Sequence, residues 1–314
     1  MYYPYLRGKQ FELIALREFA DAYSNYKVTP IIEPVKSTFN SMSLAIRTMK
    51  DKGLKFILIL NPQVGDVKNQ TALIENSLDN ELADRNCWSP AFIVTNNNQD
   101  RIKSHILDKG YDNVFLICKD NLDSSSQSLL QLFEMRNVTS VVINANNSRL
   151  KRLANRTQRY IIRLDNSFIP QSKNSDYLHI PEEMFSEEYK YYQEDGFVGI
   201  SDYTTLPSDY IEGGMLPYAI AIHWTYEKRS DAIWVRHFVS DNNDGRENIQ
   251  GKFLESGQKA VAFFDSAQIP SNTAITELRT FIQLRQYPGL GVIKKLSIKN
   301  HIELLNRLLT NQEA

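Results

Sequence analysis

The residues of this chain that can do chemistry recur at one kind of place, the polar end of a short apolar run. Arg7 and Lys9 follow Tyr5-Leu6, Glu33 follows Ile31-Ile32, and Asn61 follows Ile57-Leu58-Ile59-Leu60. Thr95-Asn96 end Ala91-Phe92-Ile93-Val94, and Lys119-Asp120 end Phe115-Leu116-Ile117-Cys118. Asn144, Asp165 and Asp202 close three further runs. Lys9, Glu33, Asp165 and Asp202 form the candidate catalytic set, since carboxylates beside a cation suit acid/base work. Arg7, Lys9 and Lys119 suit an anionic ligand such as a phosphate, a carboxylate or a nucleic-acid backbone. Alternatively, the carboxylates with Asn61 and Asn144 offer oxygen ligands to Mg²⁺ or Mn²⁺. No histidine ends any of these runs, which argues against a zinc centre of clustered histidines.

These residues need strands and helices to position them. Between the apolar runs, residues 10–22, 41–51, 71–82, 100–109, 124–135 and 148–155 show helical spacing, and Gly53 and Gly110 are placed as C-caps. Continuous apolar strands alternating with helices predict a parallel sheet covered on both faces. Eight such strands, the last ending at Asp202, predict a (β/α)8 TIM-like barrel, whose reactive groups sit at the C-terminal strand ends. A doubly wound open sheet is the alternative, but no G-x-G-x-x-G or Walker A sequence is present.

Side chains alternate along a strand, so a lumen-facing Asp165 would bring Arg163 and Ile161 with it. Glu33 with Ile31, Asn61 with Ile59, Lys119 with Ile117 and Asp202 with Ile200 would then cap columns of isoleucine. Arg163 inside the barrel would require a carboxylate, Glu33 or Asp202. The plainer reading is that strand ends are polar in any protein and that Arg163 faces the helices.

After the seventh strand a polar connection holds a predicted helix at 182–193. The runs 216–226 and 232–239, joined by the polar turn 227–231, predict a β-hairpin inserted at the barrel mouth over 203–245. It carries His223, Trp224, Arg236 and His237, a candidate lid or base-stacking platform; otherwise its aromatics pack on the rim. Predicted helices at 251–264, 273–285 and 299–309 fill a C-terminal part, 246–314, that closes the barrel of a single domain spanning 1–314. His105, His179 and His301 read as isolated surface or cap residues.

The chain has 314 residues, 42% hydrophobic and 23% charged, enough for a sizeable core. Its 36 basic and 37 acidic residues leave a formal charge of -1, so no global field draws it to nucleic acid or membrane. Two cysteines, Cys87 and Cys118, no apolar leader and no run of ~20 apolar residues predict a cytoplasmic protein away from the membrane.

Tyr3-Pro4, Lys9, Glu12 and Ala15-Leu16, followed by Pro30-Ile31-Ile32-Glu33, resemble the opening of the beta protein family of bacterial and phage genomes. Asp202-Tyr203 and the hairpin from Ala219 to Phe238 are similar to that family's C-terminal half. The resemblance implies a barrel-like α/β protein of uncharacterised function, often on mobile or phage-related elements, and brings Lys9, Glu12 and Glu33 forward as motif residues. Glu12, one turn beyond Lys9, would brace that lysine or favour the helix N-terminus electrostatically. Two functions follow as expectations. One is an enzyme, a hydrolase using paired carboxylates with or without a divalent metal, acting on a phosphorylated or nucleic-acid substrate. The other is a non-catalytic component of a phage-related or defence system that binds an anionic ligand or a partner protein encoded nearby.

Overall fold

Strand pairing follows chain order around a closed ring. The structure, a computed structural model, describes residues 1–119, 122–213, 217–228 and 232–312; Asp120, Leu216 and the turn residues 229–231 lie outside these. The first half alternates β1 (Tyr5–Leu6), α1 (Gln10–Ala22), β2 (Ile31–Ile32), α2 (Asn40–Asp51) and β3 (Phe56–Ile59). Then come α3 (Thr71–Ser77), α4 (Asp79–Leu82), β4 (Trp88–Ile93), α5 (Gln99–Lys109) and β5 (Val114–Cys118). The alternation continues with α6 (Gln127–Glu134), β6 (Val138–Asn144), α7 (Ser148–Arg156) and β7 (Tyr160–Leu164). A 3-10 helix (Asn174–His179), β8 (Glu182–Ser186) and α8 (Glu188–Tyr191) precede β9 (Gly199–Ser201). The chain ends with β10 (Ala221–Lys228), β11 (Ala232–Val239), α9 (Ile249–Ser266), α10 (Thr273–Gln283) and α11 (Leu290–Asn311).

The main sheet has eight strands, β1 to β7 and β9, each parallel to its neighbour in the order of the chain. The ring closes through a parallel bridge between Tyr2 and Ile200, with the Tyr3 amide donating to the Ile200 carbonyl (2.8 Å) and the Tyr5 amide to the Asp202 carbonyl (2.8 Å). This is the TIM-like (β/α)8 barrel expected from the apolar runs. α11 is its eighth helix, packed beside α1 and buried along most of its length.

Two cores lie on either side of the strand wall. Tyr5, Ile31, Ile57, Ile59, Ala91, Ile93, Phe115, Ile117, Val142, Ile162, Leu164 and Tyr203 fill the lumen. Leu6, Ile32, Leu58, Phe92, Leu116, Val141, Ile161 and Ile200 point the other way, into the layer shared with the helices. Each strand thus buries both faces, which is why the runs are continuously apolar.

The region after β7 departs from expectation. Residues 182–186, predicted helical, form β8, the edge strand of a three-stranded antiparallel sheet ordered β10-β11-β8. Pairing with β11 overrides the local helical spacing, and only one helical turn, α8, is left of that prediction. This sheet packs against the C-terminal helices. β10 packs along α11, while Trp224 and Phe238 bury a separate core with Phe264 of α9 and residues of α10. No helix among the described residues is long and apolar enough to cross a membrane.

Candidate functional site

At the C-terminal end of the lumen, three strands bring one ionic cluster together. Glu33, fully buried, follows β2 and accepts from the Arg7 guanidinium (2.5 Å), the Tyr5 hydroxyl (2.6 Å) and the Gln63 amide (2.9 Å). Lys119, at the top of β5 on the far side of the ring, reaches through the lumen to the Tyr5 hydroxyl (2.5 Å) and lies 3.6 Å from Glu33. Tyr203 closes the group, its ring 5.1 Å from that of Tyr5 and under the Arg7 guanidinium. Burial pushes the Glu33 carboxyl up, but Lys119 and Arg7, with the Tyr5 and Gln63 hydrogen bonds, outweigh that and hold it below the usual carboxylate range. The cluster is charge-compensated and leaves Glu33 no free face.

Above it lies the cavity, of about 820 Å³, between the start of α1, the segment from β2 to α2, the start of α11 and a strap formed by residues 206–213. Gly8, at φ +60°, lets the chain turn so that Arg7 drops to Glu33 while Lys9 stays at the cavity; a Cβ there would stand 2.7 Å from the end of Met42. A Cβ on Gly291 would meet the Phe11 ring at 1.9 Å, so its absence lets the N-termini of α1 and α11 lie side by side. Four cations line the space: Arg7, Lys9, Lys36 and Lys294. The strap is tied to three of them, through the Ser208 carbonyl on Arg7, the Ile211 carbonyl on Lys9 (2.8 Å) and the Glu212 carboxylate on Lys36. Lys9 also sits 4.6 Å from the centre of the Tyr210 ring. Partial burial, with Lys294, Arg7 and Lys36 nearby, lowers the Lys9 pKa against the opposing pull of Glu12.

Glu12 is the third residue of α1 and folds back over the helix start, accepting the Arg7 amide at 2.5 Å and also bonding the Lys9 amide. That is the reciprocal half of a capping box. Burial pushes its carboxyl up to about 7, against the lowering effect of those amides and of the Lys9 and Arg7 charges.

The remaining predicted site residues lie elsewhere. Asp202 does not face the lumen: it points outward and accepts from the Tyr2 hydroxyl (2.6 Å), the Thr204 amide (2.8 Å) and His301 of α11 (3.2 Å). Asp165 also lies outside, paired with Arg163 at 2.6 Å. Arg163 takes its partners from that outer layer, Asp165, Glu188 and Asp195, rather than Glu33 or Asp202. The reason is one of register: Ile162 and Leu164 fill the lumen, so their neighbours cannot. Asn61 is a clamp between strand ends, donating to the Ile93 carbonyl and accepting its amide. Asn144 is exposed and braces its own turn through the Asn146 amide. Asp165 and Asp202 lie on the outer side and Glu33 on the lumen side, and among the described residues no three of His, Cys, Asp and Glu are grouped to hold a metal.

The hairpin residues are structural too. His223 and His237 pair across the strands with Nδ1 atoms 2.8 Å apart, one donating to the other, beside Tyr177 and Phe168. Burial, reinforced by its neighbours His237 and Lys294, drives His223 down to about 3; burial alone takes His237 to about 4. Trp224 is fully buried, and Arg236 bonds Glu182 of β8. Trp224 therefore belongs to the outer core and offers no exposed stacking face. Sequence reasoning missed Lys36, Lys294, Tyr203 and His301. Only Tyr203 carried a signal, its alternation with Gly199 and Ser201 along β9.

No family model matches the chain, and no curated protein matches it. Among solved structures it is similar to tryptophan synthase from M. tuberculosis in an open form with BRD0059 bound, at 8% identity and a TM-score of 0.37, over 64% of this chain and 81% of that one. A mutant tryptophan synthase alpha-subunit from the hyperthermophile Pyrococcus furiosus is similar at 14% identity and a TM-score of 0.33, over 64% of this chain and 86% of that one. A likeness this loose carries no argument about the site, and the barrel rests on the strand order itself.

Proposed function

We propose that this chain is a beta-family barrel protein that binds an anionic ligand in the cavity above the Arg7–Glu33 cluster, without turnover by the strand-end carboxylates. The observation that carries this reading is the cavity's lining of four cations beside the three carboxylates Glu12, Asp209 and Glu212, with Lys9 and Lys294 in no ion pair within 4 Å among the described residues. Of the motif residues behind the resemblance, Lys9 and Glu12 line the cavity and Glu33 anchors the arginine beneath it. Glu33 stands on the lumen side of the strand wall, whereas Asp165 and Asp202 share the outer side, where the first pairs with Arg163 and the second accepts from Tyr2 and His301. The reading fits a binding component of a phage-related or defence system, as the resemblance implies.

Calorimetric titration of the full chain with inorganic phosphate at low ionic strength tests it. Saturable binding is expected, weakened about tenfold in Lys294→Ala, equivalent to about 1.4 kcal/mol. Absence of saturable binding would sink the proposal. A second reading, with turnover, has one specific support: the Glu12 carboxyl, shifted to about 7, is poised for proton transfer at the cavity wall. Phosphate release from p-nitrophenyl phosphate that disappears in Glu12→Gln would favour it.

A further inference from the structure

We infer that one flank of α7 binds the sugar–phosphate backbone of a single-stranded nucleic acid, at a surface separate from the cavity. Between Glu134 and Asp165 the chain runs for thirty residues without a carboxylate and carries seven cations. A chain of net charge -1 thus holds a strongly basic segment, and the fold sorts its cations by what they face. Arg163 is held by Asp165, Glu188 and Asp195, Lys151 by the Asp195 carbonyl, and Arg159 by the Val138 carbonyl. Arg136, Arg149, Arg152 and Arg156 are exposed, and none of them is in an ion pair among the described residues. Leu150, Leu153 and Ala154 are the buried residues of α7 and seat it on the barrel. At 3.6 residues per turn, Arg149, Arg152 and Arg156 fall within about 60° of one another, on one flank beside that buried stripe. Lys151 falls on the opposite flank, against residues 195–197. The three arginines therefore line the α6 side of the helix over about 10 Å. Both α6 and α7 pack on β6, and Arg136, just before that strand, stands at the foot of the groove between them.

Two carboxylates belong to the surroundings: Glu134 at the end of α6, and Asp112, which accepts from Asn137 (2.8 Å). Neither is paired with these arginines, and four cations against two carboxylates leave the groove basic. The occupant follows from the spacing and kind of the cations. Three arginines over about 10 Å match about three phosphates at about 3.4 Å each along one strand. Arginine suits phosphodiester oxygens, because its planar fork offers paired donors and its charge persists across the working pH range. Ser148 and Asn155 are exposed on the next strip of the helix and add neutral donors of the kind that contact backbone phosphate. The cations form one line rather than two. α6 carries no lysine or arginine, so a duplex would leave its second strand unmatched. An anionic membrane is the poorer match, since a surface helix needs an apolar face to insert and that of α7 is buried against the barrel.

The experiment is a set of fluorescence-polarisation titrations of the full chain with a labelled oligothymidylate and with a DNA duplex of the same length, beside co-sedimentation with phosphatidylcholine–phosphatidylserine vesicles. Saturable binding of the single strand is expected, its log affinity falling against log salt with a slope of about -2 to -3, as three to four neutralised phosphates require. Arg149→Ala, Arg152→Ala and Arg156→Ala combined should weaken it about tenfold or more and flatten that slope. Arg152→Glu alone should weaken it in the same direction, and thermal unfolding of both variants is checked against the parent. Lys55→Ala, Lys68→Ala and Arg101→Ala combined remove the same charge from other exposed positions and should leave binding unchanged. Inorganic phosphate binding should also be unchanged in the flank variants, which separates this surface from the cavity. Absence of saturable binding, an equal loss in the control variant, or a parallel loss of phosphate binding would overturn the assignment. So would tighter binding of the duplex, or capture by the vesicles in preference to the oligonucleotide.

Discussion

Glu33 and Asp202 look alike in sequence, each a carboxylate closing an apolar strand, and both are buried with carboxyls held below their usual range. They nonetheless stand on opposite faces of the strand wall. Glu33 faces the lumen, where the Lys119 and Arg7 charges overcome the cost of burying it. Asp202 faces α11, where His301 and the Tyr2 hydroxyl do so, and His301 continues to Thr225 of the hairpin at 3.0 Å. The first carboxylate anchors Arg7, which lines the cavity; the second fastens a barrel strand to its last helix and, through it, to the outer sheet. A strand-end position therefore does not by itself mark a functional carboxylate, and the face decides.

The sharpest way to break this comparison is Glu33→Ala. It leaves the Arg7 and Lys119 charges facing each other in the lumen without a carboxylate, and a loss of about 3–5 kcal/mol in urea unfolding is expected. A loss under about 1 kcal/mol would mean that the cluster is solvated rather than buried.

Glu12 supplies the contrast in sign. Burial holds its folded-state pKa at about 7, above the ordinary 4.5 of a glutamate. Between those values the folded form holds more protons than the unfolded form, so the contribution is present below pH 4.5 and is lost as pH rises through 7. The swing is about 3 kcal/mol. Glu33 and Asp202, held down, contribute in the opposite sense, with stability present above the unfolded carboxylate range and lost on acidification. Unfolding free energies at pH 5 and pH 8 should show the Glu12 slope in the parent and not in Glu12→Gln; an unchanged slope would assign it to another group.

The smallest effects separate the two outward-facing aspartates. Asp202→Asn should cost about 1–3 kcal/mol because it disturbs a fully enclosed set of hydrogen bonds. Asp165→Asn should cost less than about 1 kcal/mol. Its side chain is 23% exposed, and Arg163 keeps Glu188 and Asp195. Equal costs would mean that Asp202 is not the tie described above.

Much of the fold was legible because its signals are local. Eight apolar runs, their helical spacers and the cap at Gly110 all map onto observed elements, and α11 extends the predicted helix at 299–309 toward its N-terminus. β8 was not legible, since Glu182 to Ser186 becomes a strand only through its ladder with β11. His301 reads in sequence as an isolated surface or cap residue because nothing nearby announces Asp202 or Thr225. The hairpin cluster was visible as a concentration of aromatic and ionisable groups, but whether these meet a ligand or a core depends on α9 and α11.

By itself, the sequence determined the barrel: continuous apolar strands must bury both faces, and only crossover helices can join them in parallel. It also determined that Arg7, Gly8 and Lys9 stand at the end of the first strand. What only the tertiary structure decided was the face of each strand-end residue and the assembly of the cavity. A shift of one residue sends a side chain to the other side of the wall, and Lys36, Lys294 and the strap come from segments far apart in the chain. Their meeting depends on closure of the ring, which no local pattern encodes.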